Sequence, residues 1–309
     1  MQPIGLLIKS YARDFDYLRR LESSIREFNR EDLPVFLIVP AADVQLFESV
    51  DLPSVQLMAE EDVVGQYLVS ESAHGLSAGY LNQEIVKLSF GETGLLANYF
   101  CVDSEAVFVR PFGALDFLRQ GDEPYSVLVQ DKELEVEPRY YREHWVGREE
   151  AIRQIMEFVG LDDPIMKTCH GHQIFSSRVL QSFSEDFLAP RGWTYTDAVM
   201  EIPYEFSWYN MWLQKSRVIP IHQIEPLVKV FHNEDQHLEY VLRGINMSDI
   251  ARAYLAVVVN SNYSRDLGIV GAAGNKIGLA SSYLSYAEVW DVVRAKASET
   301  WSRRLGRQG

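Results

Sequence analysis

Two short apolar runs near the amino terminus, PIGLLIKSY from Pro3 and LPVFLIVP from Leu33, limit the possible folds more than any other feature. Each is too short for a buried helix and apolar nearly throughout, which reads as a buried strand. Between them Asp14 precedes FDYLRRLESSIREFN, where Phe15, Leu18, Leu21, Ile25 and Phe28 recur at helical spacing. ADVQLFESV then reads as a short helix and VQLMAEEDVV as a third strand. Strands that alternate with helices pair in parallel through right-handed crossovers, so the first third of the chain predicts βαβ units.

The helix GYLNQEIVKLSFGE follows, with Leu81, Ile85, Leu88 and Phe90 apolar, and leads into the stretch NYFCVDSEAVFVRPF. There YFCV reads as a central strand, which puts Asp103 and Glu105 at its carboxyl end. Ligands of open α/β sheets bind in the crevice at such ends. Acid-x-acid spacing is common in this chain, with pairs also starting at Asp14, Glu60, Asp131, Glu133 and Glu135. The pair at 103 differs in having apolar flanks on both sides. In an extended segment residues two apart share a face, so both carboxylates are candidates to approach one Mg²⁺ or Mn²⁺ ion. The alternative is a turn in which Asp103 accepts from backbone amides and Glu105 is solvated.

The 309 residues suffice for one large domain or two modest ones, and the net charge of −15 argues against general binding to nucleic-acid backbone. Cys101 and Cys169 give neither a disulfide framework nor metal-ligand spacing. The opening MQPIGLLIKSY is interrupted by Lys9 too soon to read as a signal peptide, and no apolar run approaches the ~18 residues of a membrane helix. The expected compartment is the cytoplasm.

Further along, YSVLVQDKELEVEPRYYREHW suggests a strand, an acidic strand or loop, and a polar turn, and REEAIRQIMEFVGL predicts a helix. MKTCHGHQIFSSRVLQSF places a His-Gly-His turn before a strand and a helix start near Ser177. YTDAVMEIPYEFSWYNMWLQK suggests an aromatic-rich helix around Pro203, and EPLVKVFHNED a late strand ending in His232. Beyond it the character changes: Gly268, Gly271, Gly274 and Gly278 punctuate one loop, and the end, with Arg303, Arg304 and Arg307, suggests a helix with a basic end. A domain over residues 1–245 and a mainly helical extension over 246–309 are expected.

The segments LIKSYARDFDYLRRLESSIREF, NQEIVKLSF, YFCVDSEAVFVRPF, CHGHQIFSSRVL and YEFSWYNMWL occur in one order. Together they resemble a bacterial family of poorly characterised glycosyltransferases with the glycosyltransferase-A fold, from about residue 4 to about residue 235. The resemblance implies a Rossmann-like, mostly parallel sheet flanked by helices, which binds a nucleoside diphosphate-sugar, a UDP-sugar foremost. It implies a saccharide or lipid-linked saccharide acceptor, in surface polysaccharide assembly, and no nucleic-acid partner.

By position, the resemblance puts Ser10, Tyr11 and Asp14 beside the nucleobase and ribose, with Asp14 as a plain helix N-cap the alternative. It puts Lys87 at the donor phosphates, against a solvated helix lysine, and His170, Gly171 and His172 at the donor sugar or phosphate. Asp103 and Glu105 stand where that family usually has Asp-x-Asp, with His232 completing the metal site, so that Mn²⁺ or Mg²⁺ is the implied cofactor. Glu205 matches the family's acid-aromatic segment and is the candidate general base, with Glu201 as substitute. The plainer role for Glu205 is a helix cap paired with Lys215 or Arg217. Trp208 and Tyr209, with Trp212, are candidates for an apolar platform under a sugar, against the alternative of core. Other readings are a retaining transferase without a base, a silent saccharide-binding or scaffold protein, and a nucleotidyltransferase. The basic carboxyl end suggests weak contact with anionic lipid.

Overall fold

The computed structural model describes residues 1–50, 55–120, 122–130, 132–137, 141–168, 171–232, 236–237, 240 and 243–259. The apolar runs form β1 (Gly5–Lys9) and β2 (Val35–Val39), every residue of both buried, with the helix Phe15–Phe28 between them. β3 (Val55–Ala59) follows, and the helix Ala78–Ser89 leads into β4 (Asn98–Asp103). At Ser104 and Glu105 the chain turns into β5 (Ala106–Phe108). The remaining strands are β6 (Leu118–Arg119), β7 (Glu123–Ser126), β8 (Ile174–Ser176), β9 (His222–Gln223), β10 (Val228–Phe231) and β11 (Ala256–Val259).

The central sheet has the order β3-β2-β1-β4-β8. Its first four strands are parallel, and β8 runs antiparallel to β4 at the edge. The result is a mixed α/β fold with a mostly parallel sheet, as expected. The chain steps outward from β1 to β3 and then crosses back to put β4 on the other side of β1. Strand order therefore reverses between β1 and β4, and the gap beyond their carboxyl ends is where such sheets accept ligands.

Alternation of side chains along the strands divides the core into two layers. Leu6, Ile8, Phe100 and Val102 pack with Leu18, Leu21 and Ile25 of the first helix. Leu7, Tyr99 and Cys101 face the other way, against Leu81, Ile85 and Leu88 and against Phe206 and Tyr209.

Two expectations are corrected. KELEV within the acidic segment forms a short helix, Lys132–Val136, in keeping with its strong helix formers. The aromatic-rich segment is two helices, Tyr195–Glu201 and Glu205–Ser216, because Pro203 forces Ile202 into extended backbone. Beyond residue 245, a single helical turn (Met247–Ile250) precedes β11, which lies between β10 and β5. The glycine-punctuated loop and the basic end fall outside the described residues. No helix among the described residues is long and apolar enough to cross a membrane.

Candidate functional site

The site begins with a lysine in a place where a solvated lysine is impossible. Lys87 lies on the inward face of the helix Ala78–Ser89 and is 4 % exposed. Its backbone carbonyl accepts from the Tyr99 hydroxyl at 2.6 Å, which ties this turn of the helix to β4. Its ammonium donates to Glu205 Oε1 at 3.0 Å and to Asp103 Oδ1 at 3.3 Å, and stands 4.7 Å from the centre of the Phe206 ring. A lone buried ammonium would shed its proton. Burial pulls the Lys87 pKa down, but Asp103 and Glu205 outweigh it and hold the ammonium well above its ordinary range.

Each partner is delivered by a different element. Asp103 is the last residue of β4, opposite Lys9 in the β1 register, and its side chain remains 35 % exposed. Glu205 opens its helix just after the Pro203 break and is buried. His172 enters from the segment leading into β8, where Gln173 O accepts from Cys101 N and extends the β4 pairing. The Nε2 atom of His172 lies 3.5 Å from Asp103 Oδ2. Burial lowers the His172 pKa; Asp103 opposes this and Lys87 adds to it. For Asp103, burial would raise the pKa, but Lys87 and His172 prevail and hold it below the carboxylate norm.

Two features escaped the sequence reading. Lys9 is buried and pairs with Glu60 at 2.7 Å, on the same sheet face as Asp103, while also donating to Ser10 O at 3.0 Å. Glu84, one helical turn before Lys87, is 2 % exposed. Burial first, and Glu205 second, raise its pKa well above the usual value, with Lys87 and Tyr80 working against them. The signal for Glu84 was its i, i+3 spacing from Lys87 in QEIVKL.

The other predicted residues fall as follows. Ser10 is buried and its Oγ accepts from Ser104 Oγ at 2.9 Å, which closes the β1–β4 switch point. Tyr11 is exposed, and Asp14 occupies the N-cap position without a side-chain capping bond. Gly171 sits beside His172, and His170 and Cys169 lie outside the described residues. Glu205 pairs with Lys87 in place of Lys215 or Arg217; Glu201 is exposed at the end of its helix. Trp208 is fully enclosed and donates to Ile202 O, and Tyr209 is stacked on Phe175 while its hydroxyl accepts from Ser176 N. Both rings are core, with no face left for a sugar.

Asp103, Glu105 and His232 do not come together as a metal-ligand set. The extended-segment argument fails because the chain turns at 104–105, so the two acids do not share a strand face. The oxygens of Asp103 face Lys87 and His172. His232 follows β10, and register through β11 puts it at the same sheet end as Glu105 but two strands from β5, about 10 Å away. Among the described residues no three His, Cys, Asp or Glu side chains are close enough to hold an ion. As placed, these residues do not fit a divalent metal by themselves. Two surface cavities, of about 750 and 710 Å³, are lined by neither Lys87, Asp103 nor Glu205. The site is thus defined by charge and topology.

A profile described as a family of unknown function, DUF6492, matches residues 2–235. The chain belongs to that family. The match ends just after β10 and so covers every member of the Lys87 cluster. No curated protein matches the DUF6492 chain. Among solved structures, it is similar to mouse xyloside xylosyltransferase 1 in its apo form, with 10 % identity and a TM-score of 0.44, over 84 % of this chain and 98 % of that one. It is also similar to the apo structure of WbbM, a bifunctional glycosyltransferase, with 12 % identity and a TM-score of 0.48. That similarity covers 90 % of this chain but 51 % of WbbM, so the chain spans about half of WbbM.

Proposed function

We propose that this protein transfers a sugar from a nucleoside diphosphate donor, with a UDP-sugar as first candidate, to a saccharide or lipid-linked saccharide acceptor. The observation that carries the reading is the buried Lys87 ammonium between Asp103 and Glu205, beside the β1–β4 switch point. A phosphate-bearing ligand in that crevice would meet Lys87 through the side of the cluster that Asp103 leaves open. The ordered sequence segments that resemble glycosyltransferases supply the reaction class.

In an inverting transfer, the acceptor oxygen bonds to the anomeric carbon as the bond from that carbon to the phosphate oxygen breaks. The electron pair goes to the diphosphate and the acceptor's proton to a base. Glu205 is that base in our reading, and Lys87 links the two events. As charge grows on the leaving phosphate, the ammonium shifts toward it, and Glu205 is freed to take the proton as its partner withdraws. No step is assigned to a metal, since the described residues do not form a site for one.

The same ion pair favours a second reading, in which Glu205 only holds Lys87 and transfer proceeds with retention. Thermal unfolding with a panel of nucleoside diphosphates, each with and without Mn²⁺, tests the donor site without a known acceptor, because a ligand of the native state raises the midpoint. A rise with one nucleotide that disappears in Lys87→Met supports the proposal. No rise with any nucleotide sinks it and favours a saccharide-binding protein. Once a donor is found, activity surviving Glu205→Gln with donor-like product stereochemistry selects the retaining route.

A further inference from the structure

Lys87 has three N–H groups, and two are directed at Glu205 and Asp103. The third is bonded to no oxygen among the described residues. One helical turn away stands Glu84, 2 % exposed, flanked by the Tyr80 hydroxyl but with neither carboxyl oxygen in a well-formed hydrogen bond among the described residues. A buried polar group without a partner is unusual and invites an explanation. Glu84 and Lys87 share a helix face, so an ionised Glu84 would be the natural acceptor for that third N–H.

The groups around Glu84 explain why it does not take that role. Tyr80 and Lys87 flank it on its own helix, and Glu205 faces it from the helix packed opposite. Lys9 of β1 is no counter-ion for it, being closed on Glu60 of the short helix Glu60–Val64 at 2.7 Å. One ammonium already serves two carboxylates, and a third negative charge in this dry space would lack a counter-ion.

We propose that Glu84 is a positioning residue for Lys87: as a neutral acid it leaves one Lys87 N–H uncommitted, available to an oxygen of a bound phosphate. This rests on reading Lys87 as the group that meets the ligand's phosphates. Loss of the Glu84 proton to solvent turns the carboxyl into a competitor for Lys87, and phosphate affinity falls.

The test uses the full chain with carbon-13 in the glutamate carboxyls, the Glu84 signal being the one lost in Glu84→Gln. Near pH 6 it is expected at a protonated carboxyl's position, and an ionised position overturns the proposal. Inorganic pyrophosphate is then titrated calorimetrically across pH. Glu84→Gln, the uncharged isostere, is expected to bind within about threefold of the parent near pH 6 and to keep that affinity as pH rises. The parent is expected to weaken about tenfold per pH unit once the Glu84 signal titrates, and Lys87→Met to lose at least tenfold throughout. Superimposed profiles for parent and Glu84→Gln across that titration overturn the proposal, as does absence of pyrophosphate binding to the parent. Pyrophosphate binding of the expected form with no turnover of any sugar donor retains the proposal and removes the transferase reading.

Discussion

Replacing Lys87 by methionine isolates the charge at the centre of the site. Methionine keeps most of the apolar stem against Phe206, so the cavity contribution is small. What changes is that Glu205, 6 % exposed, loses its only ion-pair partner among the described residues. Breaking a buried pair from one side costs about 3–5 kcal/mol. Asp103 is also deprived, but with 35 % of its side chain exposed it can be hydrated and adds little. The expected loss is therefore about 4 kcal/mol at neutral pH, read as the midpoint shift in urea unfolding followed by tryptophan fluorescence. Glu205→Gln in the same background removes the stranded charge, and the double variant should recover about half of that loss. A single-variant loss below about 1 kcal/mol would refute the reasoning, as would strict additivity of the two changes. Either result would mean that water reaches Lys87 and that the pair is a surface contact.

Two further outcomes follow from the same packing. Trp208→Ala should cost about 3–5 kcal/mol in urea unfolding, because a fully enclosed ring and its bond to Ile202 O are lost together, whereas a sugar platform would lose affinity and little stability. Glu84 binds its proton more tightly when folded than unfolded, so it stabilises the fold fully below about pH 4.5, and that contribution declines as pH rises toward its folded pKa. Glu84→Gln should thus gain on the parent by about 1.4 kcal/mol for each pH unit in that interval, and a pH-independent difference would contradict the buried neutral acid.

The parts of this fold that could be read from sequence are those fixed by local pattern. PIGLLIKSY and LPVFLIVP had to bury both faces, and the spacing of Leu18, Leu21 and Ile25 fixed which side of the first helix turned inward. Pro203 was noticed, but its effect on Ile202 was underestimated, and one expected helix became two. The site was less legible because its geometry is non-local. Lys87 and Glu205 are separated by more than a hundred residues, and nothing near either one says that the other neutralises it. Nothing in the flanks of Glu84 shows that it is buried. Trp208 and Tyr209 misled for the opposite reason, since aromatic residues next to a candidate acid resemble a sugar platform until the layer that encloses them is known. For Asp103 and Glu105 the shared face depended on an extended segment, and the chain turns at Ser104 and Glu105 instead.

The layering of the sheet also gives the site a polarity. Odd positions at the ends of β1 and β4, Lys9 and Asp103, face the layer that holds Lys87, Glu205 and Glu84. The next residues, Ser10 and Ser104, belong to the opposite parity and are bonded to each other through neutral hydroxyls. The charged groups thus gather on one side of the β1 and β4 ends, while the two buried serines tie those ends together through their hydroxyls. Lys87 stands against both Asp103 and Glu205, with the Lys9–Glu60 pair balanced, so these ion pairs hold one more carboxylate than cations. A diphosphate adds to that excess of negative charge. In the proposed reading, its entry would redirect Lys87 from Glu205 or bring a counter-cation with it. This is why the nucleotide panel is run with and without Mn²⁺ on both the parent and Lys87→Met.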